Sequence, residues 1–367
     1  MLTWVEINKK ALIHNIKAFR TLIGKKTLLM PVIKSNAYGH GIIEIGKICN
    51  KNKLIDRLCV AGLDEALMLR KSGVHKTIHI LSFFEFDEKK IIYAIKNNII
   101  FPLYTLEQAT YLNKIGERCK QKCIVHLKID TGTNRVGVKI DELPNFAAQL
   151  KKLSFIDTEG IWSHFSSSEE NERATKDQYQ TLLRAEKLIN TFKIFPTLKH
   201  LACSAASILY PYARLDAIRL GLSLYGLYPA SKAKNKIDLI PVLNWKTKII
   251  QVKKVKKGSK ISYGQTYTMF HEGKIAVLPV GYFDGYDRAW SNKAEVVIQG
   301  KRCPVRGRIC MNLMMVEVTK LKKCKVGEVV TLLGKDITAD HLANLTSNTI
   351  NYEITTHINP LLKRKLI

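Results

Sequence analysis

Short apolar runs alternate with amphipathic stretches through the first two-thirds of the chain. The runs Leu28–Ile33, Leu58–Gly62, Thr77–Leu81, Ile99–Leu103, Cys123–Ile129, Thr158–Ser163, Leu198–Cys203 and Ala217–Leu220 read as strands. The segments between them, such as Thr105–Arg118 and Glu172–Phe192, repeat apolar residues at helical spacing. Eight strands alternating with helices predict a parallel (β/α)8 barrel of the TIM type, although a doubly wound sheet shares the local pattern. Past about Ala230 the texture changes. A polar SKAKNK stretch leads into β-branched runs at Thr247–Val255, Lys274–Leu278, Glu295–Ile298, Leu313–Val318 and Val329–Leu332, with one short helical stretch at Ala339–Leu345. The expectation is an α/β chain with a barrel over residues 1–230 and a mostly β domain over 231–367.

Composition narrows the function classes. No apolar run reaches membrane-spanning length, and the start MLTWVEINKK lacks an apolar signal core, which predicts a cytoplasmic protein without a membrane partner. The eight cysteines are scattered without paired ligand spacing, so no metal is expected. The formal charge of +28 invites a nucleic-acid reading. The lysines are spread along the whole length, however, and runs such as Lys253-Lys254 lack interleaved aromatics for base stacking. Ile and Asn accompany Lys, the pattern an A/T-rich genome produces. Specific nucleic-acid binding is therefore not expected, while attraction of small anions is. A P-loop and a dinucleotide glycine fingerprint are both absent.

The strongest chemical signal is MPVIKSNAYGHG, residues 30–41. An apolar strand ends in Lys34 and turns through Asn36, Tyr38 and two glycines. In a barrel this puts Lys34 at the C-terminal mouth, where a partly desolvated amine can form a Schiff base. The string K-x-N-A-Y-G-H-G resembles the pyridoxal-phosphate attachment motif of alanine racemases, and further matches run nearly to the C-terminus. The resemblance implies pyridoxal 5'-phosphate as cofactor, Lys34 as its attachment point, and a head-to-tail homodimer with shared active sites.

Other segments gain meaning from that resemblance. In His126–Arg135, Arg135 is implied at the substrate carboxylate and Lys128 as a carbamylated lysine that positions it. A guanidinium fork suits a carboxylate, and a carbamate turns a cation into an anion able to hold the arginine. His164 resembles the histidine beside the cofactor ring. Ser204 after the seventh strand, and the Gly221 and Leu222 amides after the eighth, are implied phosphate donors, joined by the Tyr38 and Tyr352 hydroxyls. Barrel enzymes often hold phosphate in these two loops. Arg219 is implied opposite the pyridine nitrogen. Having only donors, it cannot act as the carboxylate counterion that would strengthen the ring as an electron sink.

The second half carries Ile261-Ser262-Tyr263-Gly264, which resembles the S-Y-G segment with the second base. Racemisation by two bases needs a proton acceptor on each face of the substrate carbon: Lys34 for D-alanine and Tyr263, from the partner subunit, for L-alanine. A phenol is a poor base at its reference pKa of about 10 and needs cationic neighbours. The Met311 amide is implied at the substrate carboxylate. Tyr282 and Tyr352 are implied to narrow an entrance, with Glu169, Arg288 and Arg308 further out; a small aperture favours alanine.

The pattern departs from the family at four places. Asn312 stands where aspartate is usual, Cys203 where Asn is common and Leu220 where Pro is common, and Asn359–Arg364 lacks the arginine-rich ending. These touch substrate preference and rate more than reaction class. The expected activity is interconversion of L- and D-alanine, supplying D-alanine for peptidoglycan. The alternatives are a racemase of serine or broader specificity, a decarboxylase of the same fold type, and a non-catalytic pyridoxal-phosphate carrier, the last disfavoured by a β domain that brings a second base.

Overall fold

The computed structural model describes residues 2–367. Its chain divides into two compact units, one comprising Ile13–Ser35 and Ile45–Ile240, the other the residues up to Leu12, Asn36–Glu44 and Pro241–Ile367.

The first unit is the barrel. Its strands are β1 Leu28–Pro31, β2 Leu58–Val60, β3 Ile78–Ile80, β4 Ile99–Leu103, β5 Cys123–Lys128, β6 Ile156–Trp162, β7 Leu198–His200 and β8 Ala217–Leu220. Each pairs in parallel with its sequence neighbour from β2 to β8, and β8 pairs with β1. A Val32–Cys59 bridge, with the Ile33 amide donating to the Cys59 carbonyl at 2.8 Å, joins β1 to β2 and closes the ring. All eight expected strands are present, and the helices between them bury one face each. The helix Leu106–Cys119 starts where the sequence dictates: Thr105 and Gln108 form a reciprocal capping box, and Lys120 ends it at φ +53°. The helix Glu172–Thr191 is capped by Asn171, whose side chain accepts from the Ala174 amide.

The second unit is mostly β. A six-stranded sheet runs in the order Lys301–Pro304, Glu295–Ile298, Val329–Leu333, Leu243–Lys248, Trp4–Ile7, Arg364–Leu366. A three-stranded sheet contains Gln251–Val255, Gly273–Leu278 and Met314–Glu317, and a small hairpin pairs Lys260–Ile261 with Tyr267–Thr268. Buried Trp245, Tyr286 and Trp290 pack in series, the first pair tilted and the second edge-to-face, with centroids 5.7 and 4.9 Å apart.

Three details differ from the sequence pattern. The run expected at Thr247–Val255 is two strands in two sheets, broken at Ile249–Ile250. Helix Asn351–Thr356 is a second helical element among residues expected to hold only one. Its six residues are too few to display a helical period. Finally, the strand Trp4–Ile7 pairs antiparallel with Leu243–Lys248 and parallel with Arg364–Leu366, so the first dozen residues fold with the β unit rather than with residues 13–230. Partners more than 230 residues away leave no trace in local patterning.

Candidate active site

Lys34 follows β1 directly, and the chain then enters an unusual turn. Ser35, Asn36, Ala37 and Tyr38 all have φ of +53°, a left-handed helical turn. Such a conformation costs L-residues roughly 1–2 kcal/mol each. Specific bonds offset it. The Glu65 carboxylate accepts from the Ser35 amide at 2.6 Å and from the Ala61 amide at 2.8 Å. The Asn36 side chain accepts from the Ile42 amide at 2.9 Å, and the Asn36 carbonyl accepts from Gly41. Neutral His40, its pKa pushed down to about 3 by burial, donates Nδ1–H toward the Ala37 and Tyr38 carbonyls at 3.0 Å. At Gly39 a β-carbon would come within 1.8 Å of the Thr355 carbonyl oxygen, so only glycine fits. Arg364, 7% exposed, donates to the Gly39 carbonyl at 2.9 and 3.1 Å.

The barrel strands bring Lys34, Lys128, Arg135, His164 and Arg219 into one electrostatic neighbourhood. Burial, then Arg135, lowers the pKa of Lys34, against the pull of Glu65. Burial, then Arg219 and Arg135, brings Lys128 down to about 7. Desolvation, then Arg219, Lys128, Arg135 and Lys34, holds His164 well below its usual range and hence neutral. Arg219 is buried at the end of β8. It donates to the Ser163, His200 and Leu201 carbonyls and approaches His200 Nδ1 at 2.6 Å and His164 Nδ1 at 3.2 Å. Its pKa falls to about 10 through burial, so it is still a cation at neutral pH.

Arg135 is exposed on the loop after β5. That loop is shaped by Asp130, whose Oδ1 accepts from the Gly132, Thr133 and Asn134 amides at 3.0–3.1 Å. Gly137 returns the chain, since a β-carbon there would lie 2.5 Å from the Asp130 nitrogen. Thr131 and Ser163 hydroxyls meet at 2.8 Å, linking this loop to the end of β6.

After β7, buried Ser204 receives the Gly221 amide at 3.1 Å and the Ser223 amide at 3.3 Å on its hydroxyl oxygen. These bonds join the loops after β7 and β8. Glu169, on the loop after β6, accepts from the Ser168 hydroxyl at 3.2 Å.

The remaining predicted residues lie in the β unit. Tyr38 and Tyr352 face each other with ring centroids 6.1 Å apart. Tyr263 is 73% exposed on a turn fixed by left-handed Ser262 and Gln265, with the Ser262 hydroxyl donating to the Arg308 carbonyl. Arg308 packs so closely on Gly264 that a β-carbon would meet its guanidinium at 2.8 Å. Met311 and Tyr282 are exposed on backbones that interlock: Tyr282 and Phe283 amides donate to the Cys310 and Met311 carbonyls at 3.1 and 3.0 Å. Arg288 is exposed on a turn capped by Asp287.

The sequence reading passed over Glu65, Asp130, Arg364 and a buried histidine set. His79, His126 and His200 bring ring nitrogens within 4.8 Å of one another. Their composition suits a metal, but His126 and His200 already commit both nitrogens to each other, to Glu159 and to Arg219. They alternate with apolar residues on short buried strands, which disguises them as core. No helix among the described residues is long and apolar enough to cross a membrane.

Comparison with known proteins places this geometry. Residues 7–229 match the family described as alanine racemase, N-terminal domain, and residues 242–366 match alanine racemase, C-terminal domain. The chain is 42% identical to the alanine racemase of Methylacidiphilum infernorum over 366 residues, covering 99% of this chain and 92% of that protein. It is 36% identical to the alanine racemase of Halothermothrix orenii, covering 99% and 96%. Among solved structures, alanine racemase of Clostridium difficile 630 superposes with a TM-score of 0.92 at 35% identity, covering 100% of this chain and 96% of that one. That of Bacillus anthracis with bound L-Ala-P gives 0.90 at 32%, covering 100% and 95%. With matches to both halves and across the full fold, the chain belongs to the alanine racemase family, a family of isomerases.

Proposed function

We propose that the protein is a pyridoxal-phosphate-dependent alanine racemase working by two bases, Lys34 of one subunit and Tyr263 of its partner in a homodimer. The observation that carries this reading is the gathering of Lys34, with its lowered pKa, and buried cationic Arg219 around neutral His164. The residues fit the cofactor by their chemistry. Ser204 and the neighbouring Gly221, Leu222 and Ser223 backbone suit a phosphate. Tyr38 and Tyr352 hydroxyls are further phosphate donors in this reading. A lysine amine with a lowered pKa suits an aldehyde, the neutral imidazole of His164 suits the flat face of a ring, and Arg219 suits a ring nitrogen that is left unprotonated.

Bound there, the cofactor supplies an electron sink for the bond broken at the substrate α-carbon. The protein does the rest. Arg135 and the Met311 amide bind the substrate carboxylate. Lys128, with a pKa of about 7, has a substantial neutral fraction at neutral pH. Its amine can therefore add carbon dioxide, forming an N–C bond and releasing a proton, and the resulting anion holds Arg135. Lys34 Nζ and Tyr263 Oη exchange a proton with opposite faces of the α-carbon. Arg219 keeps its own proton, so electron density stays near that carbon and reprotonation there outcompetes other fates. Tyr263, 73% exposed in the single chain, is available to a partner. Tyr282 and Tyr352 limit the substrate to a small side chain, with Glu169, Arg288 and Arg308 bordering the approach. The activity would serve the cytoplasmic supply of D-alanine for peptidoglycan.

The test is to incubate purified protein with pyridoxal phosphate and single L-amino acids, and to resolve products by chiral chromatography. D-alanine formed fastest supports the proposal. D-serine formed fastest, or carbon dioxide released, overturns it in favour of a broader racemase or a decarboxylase.

A further inference from the structure

Arg219 lies buried without a carboxylate on any of its nitrogens, yet a carboxylate reaches it through two imidazoles. The line begins outside the site already described. Arg57, just before β2, donates to both oxygens of Glu159 on β6, at 2.6 and 2.8 Å. Glu159 Oε2 lies 2.8 Å from His126 Nε2 on β5. His126 Nδ1 lies 2.7 Å from His200 Nε2 on β7. His200 Nδ1 lies 2.6 Å from Arg219 Nη1 on β8.

Donor rules leave one arrangement of protons. Arg219 can only donate, so His200 accepts at Nδ1 and carries its hydrogen on Nε2. That hydrogen goes to His126 Nδ1, so His126 carries its own on Nε2 and gives it to Glu159. A carboxylate can only accept, so both ends of the line demand the same order. Both imidazoles are neutral: burial, foremost, holds His200 well below its usual range and lowers His126 despite Glu159. For Glu159, burial works upward, but the bonds from His126 and Arg57 and the Arg57 charge outweigh it and bring the pKa to about 2.

The packing is built around the line. At Gly160, paired in register with His126, a β-carbon would fall 2.7 Å from the His126 ring. Trp162 stacks on His200 with centroids 5.5 Å apart and donates Nε1–H to the His126 carbonyl at 3.2 Å. His79 lies 4.5 Å from His126 and 5.2 Å from His200 by ring centroids and closes the remaining side.

We propose that Glu159 is a remote positioning residue for Arg219, anchoring from the far end, through His126 and His200, the hydrogen-bonded line that holds the guanidinium's acceptor in place and gives it a distant counter-charge. The proposal rests on the reading of Arg219 as the group facing the cofactor ring. Arg57, by contrast, only holds Glu159 and is not part of the proton order. That contrast separates a positioning role from a merely structural ion pair.

The experiment uses the full-length protein reconstituted with pyridoxal phosphate, with its histidines labelled with nitrogen-15. Wild type should place the proton of His126 and of His200 on Nε2, with the His126 proton shifted far downfield. Glu159→Gln keeps an oxygen for His126 but loses the charge, so the order should persist while the downfield shift shrinks. Glu159→Leu should leave the His126 Nε2–H without its acceptor, abolish the downfield shift and lower kcat for alanine about 10-fold or more, with KM nearly unchanged. Arg57→Leu should lower stability, retain the tautomers and stay within about 3-fold of wild-type kcat. A wild-type proton on Nδ1 of either histidine overturns the proposal, even if no other variant folds. So does an equal kcat for the Glu159→Leu and Arg57→Leu proteins. Failure of the cofactor reading would show separately, as absent racemisation with the wild-type tautomers intact.

Discussion

The side-chain nitrogen of Lys128 lies 4.4 Å above the Trp162 ring, next to the buried cation Arg219 that also packs on that ring at 4.8 Å. Burial, foremost, and the repulsion of Arg219 and Arg135 bring Lys128 down to about pKa 7. Carbamate formation requires the neutral amine, so it should be favoured above pH 7 and lost below it. Protein equilibrated with carbon-13 bicarbonate should show a carbamate resonance at alkaline pH that fades as pH falls through 7. The Lys128→Ala protein should lack it. The sign for folding runs the same way for the free amine. Its folded pKa lies below the reference of 10.5, so stability rises with pH between about 7 and 10.5. No carbamate resonance above pH 7 would leave Arg135 without this partner.

In the proposed reaction Arg219 controls where electron density goes. Replacing it by Glu puts a proton-sharing carboxylate among His200, His164 and the Ser163 and Leu201 carbonyls, where five donated bonds now lie. The Arg219→Glu enzyme should turn over more slowly by 10-fold or more, as an order of magnitude. It should also gain a long-wavelength absorbance band when alanine is added. An unchanged spectrum with unchanged turnover would remove Arg219 from control of the reaction.

Tyr263 sits on a turn whose geometry depends on Ser262, Gly264 and Arg308 rather than on its own ring. Tyr263→Phe should therefore fold normally while losing the proton acceptor for L-alanine. In deuterium oxide, exchange at the α-carbon of L-alanine should fall much more than exchange from D-alanine. Equal loss from both enantiomers would contradict the assignment of the two faces.

Arg364 closes the C-terminal turn by donating to five carbonyls, those of Gly39, Ile358, Asn359, Pro360 and Leu362. Arg364→Met keeps the apolar stem and strands buried acceptors, at a cost on the order of 3 kcal/mol. Thermal unfolding should move down by several degrees. Because Gly39 follows the left-handed turn, affinity for pyridoxal phosphate should fall as well. A stable Arg364→Met protein with unaltered cofactor affinity would show that the turn holds itself.

The barrel was legible because each strand is a continuous apolar run and each helix shows its own period, so local pattern and fold agree. Lys34, Arg219 and Ser204 were legible because strand ends on a barrel place them at one mouth, and because their flanking strings resemble a known family. Glu159, His126 and His200 were not. Side chains pointing into a barrel alternate with residues pointing out, and a histidine among Val, Leu and Lys looks like ordinary core until its partners on other strands are known. Arg364 was hidden for another reason: it stands between Lys363 and Lys365, a setting typical of solvated side chains, yet it is buried and bonded to backbone carbonyls. The strand Trp4–Ile7 depends on residues at the far end of the chain, which no local pattern encodes.

That strand has a consequence for synthesis. Trp4–Ile7 leaves the ribosome before the barrel strands, and its parallel neighbour Arg364–Leu366 emerges after all of them. At ~5–20 residues per second, the strand waits roughly 12–50 seconds for its antiparallel partner Leu243–Lys248 and roughly 20–70 seconds for Arg364–Leu366. Until Leu243–Lys248 emerges, its apolar Trp4, Val5 and Ile7 have no sheet to join, although the barrel residues before Leu243 are already synthesised. The six-stranded sheet is therefore completed only after the whole barrel has emerged, and a chain stalled before Leu243 exposes a sticky apolar strand for quality-control machinery to seize.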